Sequence, residues 1–361
     1  MMEVGIAGAG LIARGYFAHL TQRGMQPKLW SPTGKSARDV PSGTVLNVMG
    51  AIEGQFDLAY CANAAELAQS DVIILALPAN GHRLVLDALI PHLEARHTVI
   101  ISGHLSFAAL YLSKMLAARG LQIPIVAWST TALTAKSPNA PHELRIGQLR
   151  GNIDMAVLPA GQGAAAKATC IELFGPHFTL RDDLLTIAFS NLNPQSHLAI
   201  ALCNLTRIEN GEHWQQNSNM TPKVGNFLES LDRERVEIAR SFGKEVRTQL
   251  ENFRQPSGQE ITNTHELYQL QVAHGTDPIG PKDINTRYVT EDVPYGLVAT
   301  LFLARLAGVE APLHQAGAAI LSACYQRDFA TDNDMLGVLE ITDVASLKQL
   351  VCDGFATERI S

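Results

Sequence analysis

Apolar residues in the first half of the chain occur in short, nearly continuous runs separated by longer amphipathic stretches. Such runs suit parallel strands that are covered on both faces, and the stretches between them suit crossover helices. The predicted strands lie at residues 3–7, 27–30, 71–78, 98–103 and 123–128, and helices are predicted up to about residue 23 and over 82–93. This pattern predicts an α/β domain built on a largely parallel sheet.

The pattern changes after residue 140, where two short strands are predicted at 144–147 and 152–159 around a glycine-containing turn. A helix of small residues follows over 161–174, and residues 178–181 are predicted to form a last edge strand. We therefore place the end of the first domain at residue 182.

From residue 183 to residue 361 the periodicity is helical, which predicts an all-α C-terminal domain. Glu and Arg alternate at helical spacing on a long helix within 219–253, which is typical of a solvated face, and we assign no chemistry to it. The remaining helices are predicted at 184–189, 198–205, 262–273, 297–306 and 311–325, with two small surface helices around 334–337 and 343–352.

The first strand leads directly into Gly8-Ala9-Gly10-Leu11-Ile12-Ala13, a Gly-x-Gly-x-x-Ala turn that opens a helix. Gly8 permits the tight turn, Gly10 lets a pyrophosphate approach, and Ala13 keeps the helix close to the strand. The free N–H groups of the helix N-terminus then favour phosphate. In this context of strand, turn and helix, the motif predicts a Rossmann domain that binds a dinucleotide; an ordinary tight turn is the alternative.

The segment after the second strand indicates which dinucleotide is preferred. An NAD site would place an acid there to bind the ribose hydroxyls, but no acid occurs before Asp39. Ser31, Thr33 and Lys35, with Arg38 beyond them, offer the donors and positive charge that suit a 2′-phosphate. We predict NADP(H) over NAD(H); the alternative is that Lys35 and Arg38 are solvated loop charges.

Residues at the carboxyl ends of the predicted strands should line the cofactor crevice. Pro78, Ser102, Gly103 and residues 129–131 are therefore candidate neighbours of the nicotinamide. Each has an alternative role as a residue that simply ends a strand.

Composition restricts the classes of partner. The chain has 361 residues, 46% of them hydrophobic and 17% charged, which describes a packed globular enzyme. A net charge of −7 argues against nucleic-acid binding. Five dispersed cysteines without a CxxC pair, no signal peptide and no membrane-length apolar run predict a reduced cytoplasmic protein that does not bind a membrane. We expect no metal site.

Three polar residues of the C-terminal half, Asn193, His197 and Asn204, fall on one face of a predicted helix. Such groups are costly to bury without partners. The alternatives are a helix cap for Asn193, which precedes Pro194, and a satisfied core histidine for His197.

Residues 287–297 concentrate an arginine, two carboxylates and two tyrosines in eleven positions. Asp292 precedes Pro294 and an apolar helix, so it is either an N-cap or a partner for a catalytic base. Arg287 is a candidate clamp for a substrate carboxylate. The segment alone leaves these alternatives open.

Together, the two halves resemble the opine dehydrogenase family, the octopine and nopaline dehydrogenases, over nearly the whole chain. Asn191-Leu192-Asn193-Pro194-Gln195-Ser196-His197 with Asn204 is similar to the family's Asn-x-Asn-x-x-x-His helix, and Arg287–Leu297 is similar to its Arg-Tyr-x-Thr-Glu-Asp-Val-Pro-Tyr-Gly-Leu segment. The resemblance implies that His197 and Asp292 are catalytic and that Arg287, Asn193 and Asn204 bind substrate. Leu198 stands where family members often have proline.

The resemblance also implies the reaction, in which an amino acid condenses with a 2-oxo acid and NAD(P)H reduces the imine to a secondary-amine dicarboxylate. Two alternatives remain. A ketopantoate-reductase-like enzyme would need a lysine on the helix that here carries His197, and a non-catalytic NADP(H) sensor would bind the cofactor without turnover. The apolar C-terminal helices form either a core or a dimer face, and we predict a homodimer.

Overall fold

The computed structural model describes residues 2–253 and 261–356. The chain divides into two compact units, each described here by itself. Unit 1 comprises Met1–Ala188, Val338–Ile341 and Ala345–Ser361, and unit 2 comprises Phe189–Gly337 and Thr342–Val344. The predicted domain limits, 1–182 and 183–361, stay a proposal.

The strands in the described part of the chain are short and lie in unit 1. They are β1 (Val4–Ala7), β2 (Lys28–Trp30), β3 (Val45–Gly50), β4 (Gly54–Asp57), β5 (Val72–Leu75), β6 (Thr98–Ile101), β7 (Ile125–Trp128), β8 (Leu133–Lys136), β9 (Glu143–Leu149), β10 (Ile153–Leu158) and β11 (Phe178–Leu180).

The helices are α1 (Leu11–Gln22), α2 (Ala64–Leu67), α3 (His82–Leu89), α4 (Ala108–Ala117), α5 (Gly163–Phe174), α6 (Leu184–Ser190), α7 (Asn193–Cys203), α8 (Leu205–Glu209), α9 (Pro222–Ser241), α10 (Gln249–Phe253), α11 (Thr264–Ala273), α12 (Arg287–Thr290), α13 (Val298–Ala307), α14 (Pro312–Tyr325), α15 (Leu336–Leu339) and α16 (Val344–Asp353). Short 3-10 helices add Lys35–Ala37, Ala79–Gly81, Ile90–His92 and Ala160–Gln162, and Val293–Leu297 is a π-helix.

Within the described residues, the main sheet of unit 1 has seven strands in the order β11-β10-β7-β6-β5-β1-β2. Strands β2, β1, β5, β6 and β7 run parallel, and β10 runs antiparallel to β7. The parallel strands β1, β5 and β7 are buried along their whole length, as their continuous apolar runs predict. The sheet order reverses at β1, so the crevice at the carboxyl ends of β1 and β5 is the expected ligand position. The predicted α/β Rossmann class and the edge strand β11 are confirmed.

A second sheet in the described part of unit 1 has the order β4-β3-β9-β8, and the sequence pattern did not predict β3, β4 or β8. These strands are four to six residues long, and β3 buries only alternate positions, so each gives a weak signal. The predicted strands near 144–147 and 152–159 exist, but they do not pair with each other. β9 pairs with β3 and β8, whereas β10 pairs with β7 and β11.

Unit 2 is helical over its described residues, which confirms the predicted class. Its core forms where α7, α9 and α14 pack together around fully buried apolar side chains such as Leu198, Leu228 and Leu321. None of the described helices is long and apolar enough to cross a membrane.

One prediction about the long charged helix needs correction. Helix α9 exposes Arg233 and Glu237, as expected for a solvated face, but Asp232 and Arg235 are buried. Arg235 donates to Asp232 at 2.9 Å and to the carbonyl of Arg247 at 2.6 Å, so the charge is paired inside the unit.

Candidate active site

The segment 286–297 folds as a short helix that runs into a π-helix. Thr286 precedes α12, and its hydroxyl accepts the backbone N–H of Tyr288 at 3.3 Å. The π-helix Val293–Leu297 follows at once and is entirely buried, with Pro294 in its first turn. π-Turns are rare and occur frequently at functional sites. Helix α13 begins at Val298, one residue after the predicted start at Leu297, and Pro294 lies in the π-helix that precedes it.

The structure brings two of the predicted residues into direct contact. Nδ1 of His197, on α7, lies 2.7 Å from Oδ2 of Asp292. Asp292 occupies the N-cap position of the π-helix, but its side chain is 3% exposed, makes no capping bond there and contacts His197 instead. An ionised carboxylate only accepts hydrogen bonds, which places a hydrogen on Nδ1 and leaves Nε2 to exchange a proton. The His197 side chain remains 14% exposed.

A second contact to the same imidazole was not predicted. The ring of Tyr288 lies flat against the ring of His197, with centroids 3.6 Å apart and an angle of 7° between the planes. The Tyr288 hydroxyl donates to Oε1 of Gln216 at 2.7 Å. Burial, and then the charge of Asp292, raise the pKa of Tyr288, so the phenol stays neutral. The helical spacing of Tyr288 and Asp292, four residues apart, is a signal that could have placed both on one face.

Arg287 lies one residue before Tyr288 and is the exposed charge of this segment. Its Nε donates to Oε2 of Glu291 at 2.6 Å, while 63% of the arginine side chain faces solvent. Partial desolvation lowers the pKa of Arg287, but the charges of Glu291 and Asp292 outweigh that effect and raise it. The guanidinium is thus fixed through Nε. Its two terminal nitrogens make no hydrogen bond within the described residues, and a carboxylate could be held there through two parallel bonds.

Close packing fixes the position of α7 against this segment. A Cβ at Gly296 would lie 2.5 Å from Cγ of Pro194, so only glycine allows the π-helix to approach the first turn of α7 this closely. Leu198, which replaces the proline common in the family, is fully buried in the core of unit 2. Helix α7 therefore continues past His197 and ends at Cys203.

The two asparagines of the predicted face lie in different environments. Asn193 is exposed at the start of α7, where its backbone N–H donates to the side chain of Asn191 at 3.0 Å; the N-cap position belongs to Leu192. Asn204 is buried at the break between α7 and α8, where its amide donates to the carbonyl of Ile200 at 2.9 Å. Asn204 therefore ends the helix that we expected to continue through residue 205.

A second histidine–carboxylate pair occurs in unit 2 and was not predicted. Nδ1 of His314 lies 2.7 Å from Oε2 of Glu234, and the histidine side chain is 1% exposed. Glu234 also accepts the backbone N–H groups of Leu313 at 2.8 Å and His314 at 3.0 Å, at the first turn of α14. The Glu234 carboxylate therefore caps the N-terminus of α14, which has no capping side chain of its own.

In unit 1, the glycine-rich turn has the local geometry that the motif requires. Gly8 has φ +135°, and a Cβ there would lie 2.3 Å from the carbonyl oxygen of Ala76 and 3.4 Å from Cβ of Ala13. Gly10 precedes α1, and no atom lies within 4 Å of where its Cβ would be. The space in front of the helix N-terminus is therefore open, and no side chain caps it. These residues fit the phosphates of a dinucleotide.

The residues nominated for the 2′-phosphate follow β2 directly. Thr33 and Lys35 are exposed and Ser31 is partly exposed, on a turn in which Gly34 has φ +64°. The Thr33 hydroxyl accepts the backbone N–H of Lys35 at 3.4 Å. Pro78 is exposed after the end of β5, where it precedes the 3-10 turn Ala79–Gly81. All of these side chains are accessible to a ligand at this edge of the sheet.

Comparison with known proteins relates both halves of the chain to one family. Residues 180–325 match the model of the NAD/NADP octopine/nopaline dehydrogenase alpha-helical domain. An opine dehydrogenase of Arthrobacter sp. (strain 1C) is 25% identical over 349 residues, covering 94% of this chain and 96% of that protein.

Two similar solved structures have the same fold. An octopine dehydrogenase in complex with NADH and L-arginine gives a TM-score of 0.77 at 14% identity, covering 98% of each chain. A yersinopine dehydrogenase with bound NADP+ gives 0.70 at 17% identity, also covering 98% of each chain. The predicted resemblance to the opine dehydrogenase family is confirmed.

Proposed function

We propose that this relative of the opine dehydrogenases is an NADP(H)-dependent opine dehydrogenase that joins an amino acid to a 2-oxo acid. Its class, an oxidoreductase acting on the CH–NH group of donors, follows from the family resemblance. The observation that carries the proposal is the 2.7 Å pair of His197 and Asp292 in the segment that also presents the exposed guanidinium of Arg287.

The first chemical requirement is a base, because an amino acid is an ammonium ion at neutral pH and cannot attack a carbonyl until it loses a proton. Nε2 of His197 takes that proton, while Asp292 holds Nδ1 and stabilises the imidazolium that forms. The amine nitrogen then attacks the keto carbon and gives a carbinolamine. A histidine suits this step because its charge changes near neutral pH.

The second requirement is an acid, because the carbinolamine loses its hydroxyl only as water. The imidazolium of His197 returns its proton to that oxygen, the C–O bond breaks and a C=N bond forms. NADPH, when bound, supplies the hydride that reduces this carbon. The same imidazole thus serves both proton transfers, and the reverse sequence breaks an opine down.

Arg287 is proposed to bind the carboxylate of the 2-oxo acid. The hydrogen bond that Nε donates to Glu291 keeps the two terminal nitrogens of Arg287 facing solvent. The fork formed by these nitrogens matches a planar carboxylate. Asn193 and Asn204 are proposed as substrate contacts. Asn193 is exposed, whereas Asn204 would have to exchange its bond to Ile200 for one to the substrate.

The cofactor proposal rests on unit 1. Gly8, Gly10 and Ala13 would hold the pyrophosphate at α1, and Ser31, Thr33 and Lys35 would bind the 2′-phosphate of NADP(H). Relatives are known with either cofactor, as the names of the similar structures state. The preference for NADP(H) is supported by the absence of an acid between Trp30 and Asp39.

We also propose a cytoplasmic homodimer with small-molecule substrates and no nucleic-acid or membrane partner. Five dispersed cysteines and a net charge of −7 support the cytoplasmic assignment and the exclusion of nucleic acid. Size-exclusion chromatography with light scattering would test the oligomeric state.

The experiment that tests the function is the oxidation of NADPH with a matrix of amino acids against pyruvate, 2-oxoglutarate and oxaloacetate, with NADH in parallel. Turnover that requires both an amino acid and a keto acid establishes the reaction and names its substrates. Turnover with a keto acid alone would identify a ketone reductase. Helix α7 carries no lysine that could act as the acid of a ketopantoate-reductase-like enzyme.

A further inference from the structure

The imidazole of His197 is held by two contacts that act in different directions. Asp292 binds Nδ1 at 2.7 Å, which limits rotation of the ring within its own plane. Tyr288 covers one face with its ring centroid 3.6 Å away and its plane inclined by only 7°, which limits the tilt of the imidazole. Rings at this separation are in van der Waals contact, so neither water nor substrate can enter between them.

Tyr288 is itself fixed at both ends. Its hydroxyl donates to Gln216 at 2.7 Å, and its backbone N–H donates to the hydroxyl of Thr286 at 3.3 Å. Gln216 in turn is anchored by its backbone N–H, which donates to the carbonyl of Pro278 at 2.8 Å. A tyrosine held in this way forms a rigid platform rather than a ring that moves with its neighbour.

We infer that Tyr288 is a positioning residue for His197: it holds the imidazole so that Nε2 can reach a substrate only from the uncovered side. This inference rests on the proposed function. An aromatic face also attracts a cation, so the ring favours the imidazolium formed during turnover. The charged groups near the imidazole are Asp292, on its edge, Glu291, which precedes it, and Arg287, which precedes Tyr288 and pairs with Glu291.

The kinetic test compares Tyr288→Leu with Tyr288→Phe. Leucine keeps an apolar cover but lacks the flat ring, so kcat should fall by about 10- to 100-fold, as expected when a catalytic group is misplaced by about 1 Å. KM for both substrates and the Kd for NADPH should remain close to wild type. Phenylalanine keeps the ring and loses only the bond to Gln216, so it should restore most of kcat. Equal activity of all three proteins, or a change confined to KM, would overturn the inference.

A spectroscopic test needs no turnover and therefore separates this inference from the proposed function. In protein with isotope-labelled histidine, the ring protons of His197 should resonate upfield of the usual histidine range because of the Tyr288 ring current. His197→Ala identifies the signal. The upfield shift should persist in Tyr288→Phe and disappear in Tyr288→Leu. The ring signals of His265, on α11, should keep their positions in both variants. A wild-type His197 signal without an upfield shift would contradict the stacking even if Tyr288→Leu failed to fold. If His197 shows the expected upfield shift but the wild-type protein has no condensation activity, the proposed function is rejected and the stacking stands.

Discussion

Two histidine–carboxylate pairs in unit 2 share one hydrogen-bond length and differ in their surroundings. Nδ1 lies 2.7 Å from a carboxylate oxygen both in His197–Asp292 and in His314–Glu234. The His197 side chain is 14% exposed and its segment presents Arg287 to solvent, whereas His314 is 1% exposed. The length of the hydrogen bond therefore does not identify a catalytic pair. The features that distinguish the proposed catalytic pair are access to its second ring nitrogen and the exposed charge of Arg287 nearby.

The role of each carboxylate shows the same difference. Asp292 makes no bond to the turn that follows it and is directed to the imidazole. Glu234 accepts two backbone N–H groups of α14 as well as the ring N–H of His314. Burial alone would raise the pKa of Glu234, but these hydrogen bonds outweigh it and lower that pKa. The first pair thus leaves a ring nitrogen for the proposed proton transfer, and the second pair holds a helix.

The largest expected effect separates the two histidines. His197→Ala should lower kcat by about 10²- to 10⁴-fold, the usual contribution of a general acid–base group, with NADPH affinity near wild type. His314→Ala should keep kcat near wild type at temperatures where it is folded, because its ring is buried against Glu234 at the start of α14. Steady-state kinetics and NADPH binding measure both. Loss of NADPH binding in His197→Ala, or a comparable loss of kcat in His314→Ala, would contradict the distinction.

A smaller effect is expected from Arg287, the exposed arginine in the segment of the first pair. Arg287→Lys keeps the charge but loses the fork, so KM for the 2-oxo acid should rise by about 10- to 100-fold. KM for NADPH should not change. Arg305→Lys, at an exposed arginine of α13, is the matched control and should behave as wild type. An unchanged KM in Arg287→Lys would remove Arg287 from the substrate site.

The smallest effect on activity is expected for Glu234→Gln, which should act on stability. The free energy of unfolding should fall by about 1–3 kcal/mol, because a carboxylate that accepts three hydrogen bonds is replaced by an amide. Activity should remain near wild type. Denaturant unfolding measures the change, and Glu237→Gln, at an exposed position of the same helix, is the control.

The pH dependence of this stabilisation has a defined sign. The pKa of Glu234 is lowered in the folded protein, so its contribution is complete above the ordinary carboxyl pKa of 4.5 and is lost as the pH falls through the folded pKa. The difference in stability between wild type and Glu234→Gln should therefore shrink on acidification below about pH 4.5. A difference that stays constant would show that the carboxylate charge is not what stabilises α14.

The sequence supported the fold class and the dinucleotide turn because both depend on local signals. Continuous apolar runs predicted the strands, and Gly8 and Gly10 lie in the turn where a Cβ would clash or occupy the phosphate position. The sheet containing β3, β4 and β8 was missed because β3 has only two buried side chains and β4 and β8 have one each, which carries little periodicity.

The candidate site was predictable only in part. Arg287 and Glu291 are four residues apart, so their pairing is a local property, and the same spacing places Tyr288 and Asp292 on one face. The contact of that turn with α7 is tertiary, and only the family resemblance placed Asp292 beside His197. The stack with Tyr288 and the cap formed by Glu234 depend on how separate helices pack, and no spacing in the sequence encodes that.

The central claim, that His197 moves protons during condensation, is tested most directly by supplying an imine that needs no condensation. Wild type and His197→Ala would be assayed for NADPH oxidation with a preformed cyclic imino acid and, separately, with the amino acid and 2-oxo acid. We predict that the ratio of imine reduction to condensation rises by at least about 10²-fold in His197→Ala, because only condensation requires the acid–base group. An unchanged ratio, with NADPH binding intact, would contradict the assignment of His197.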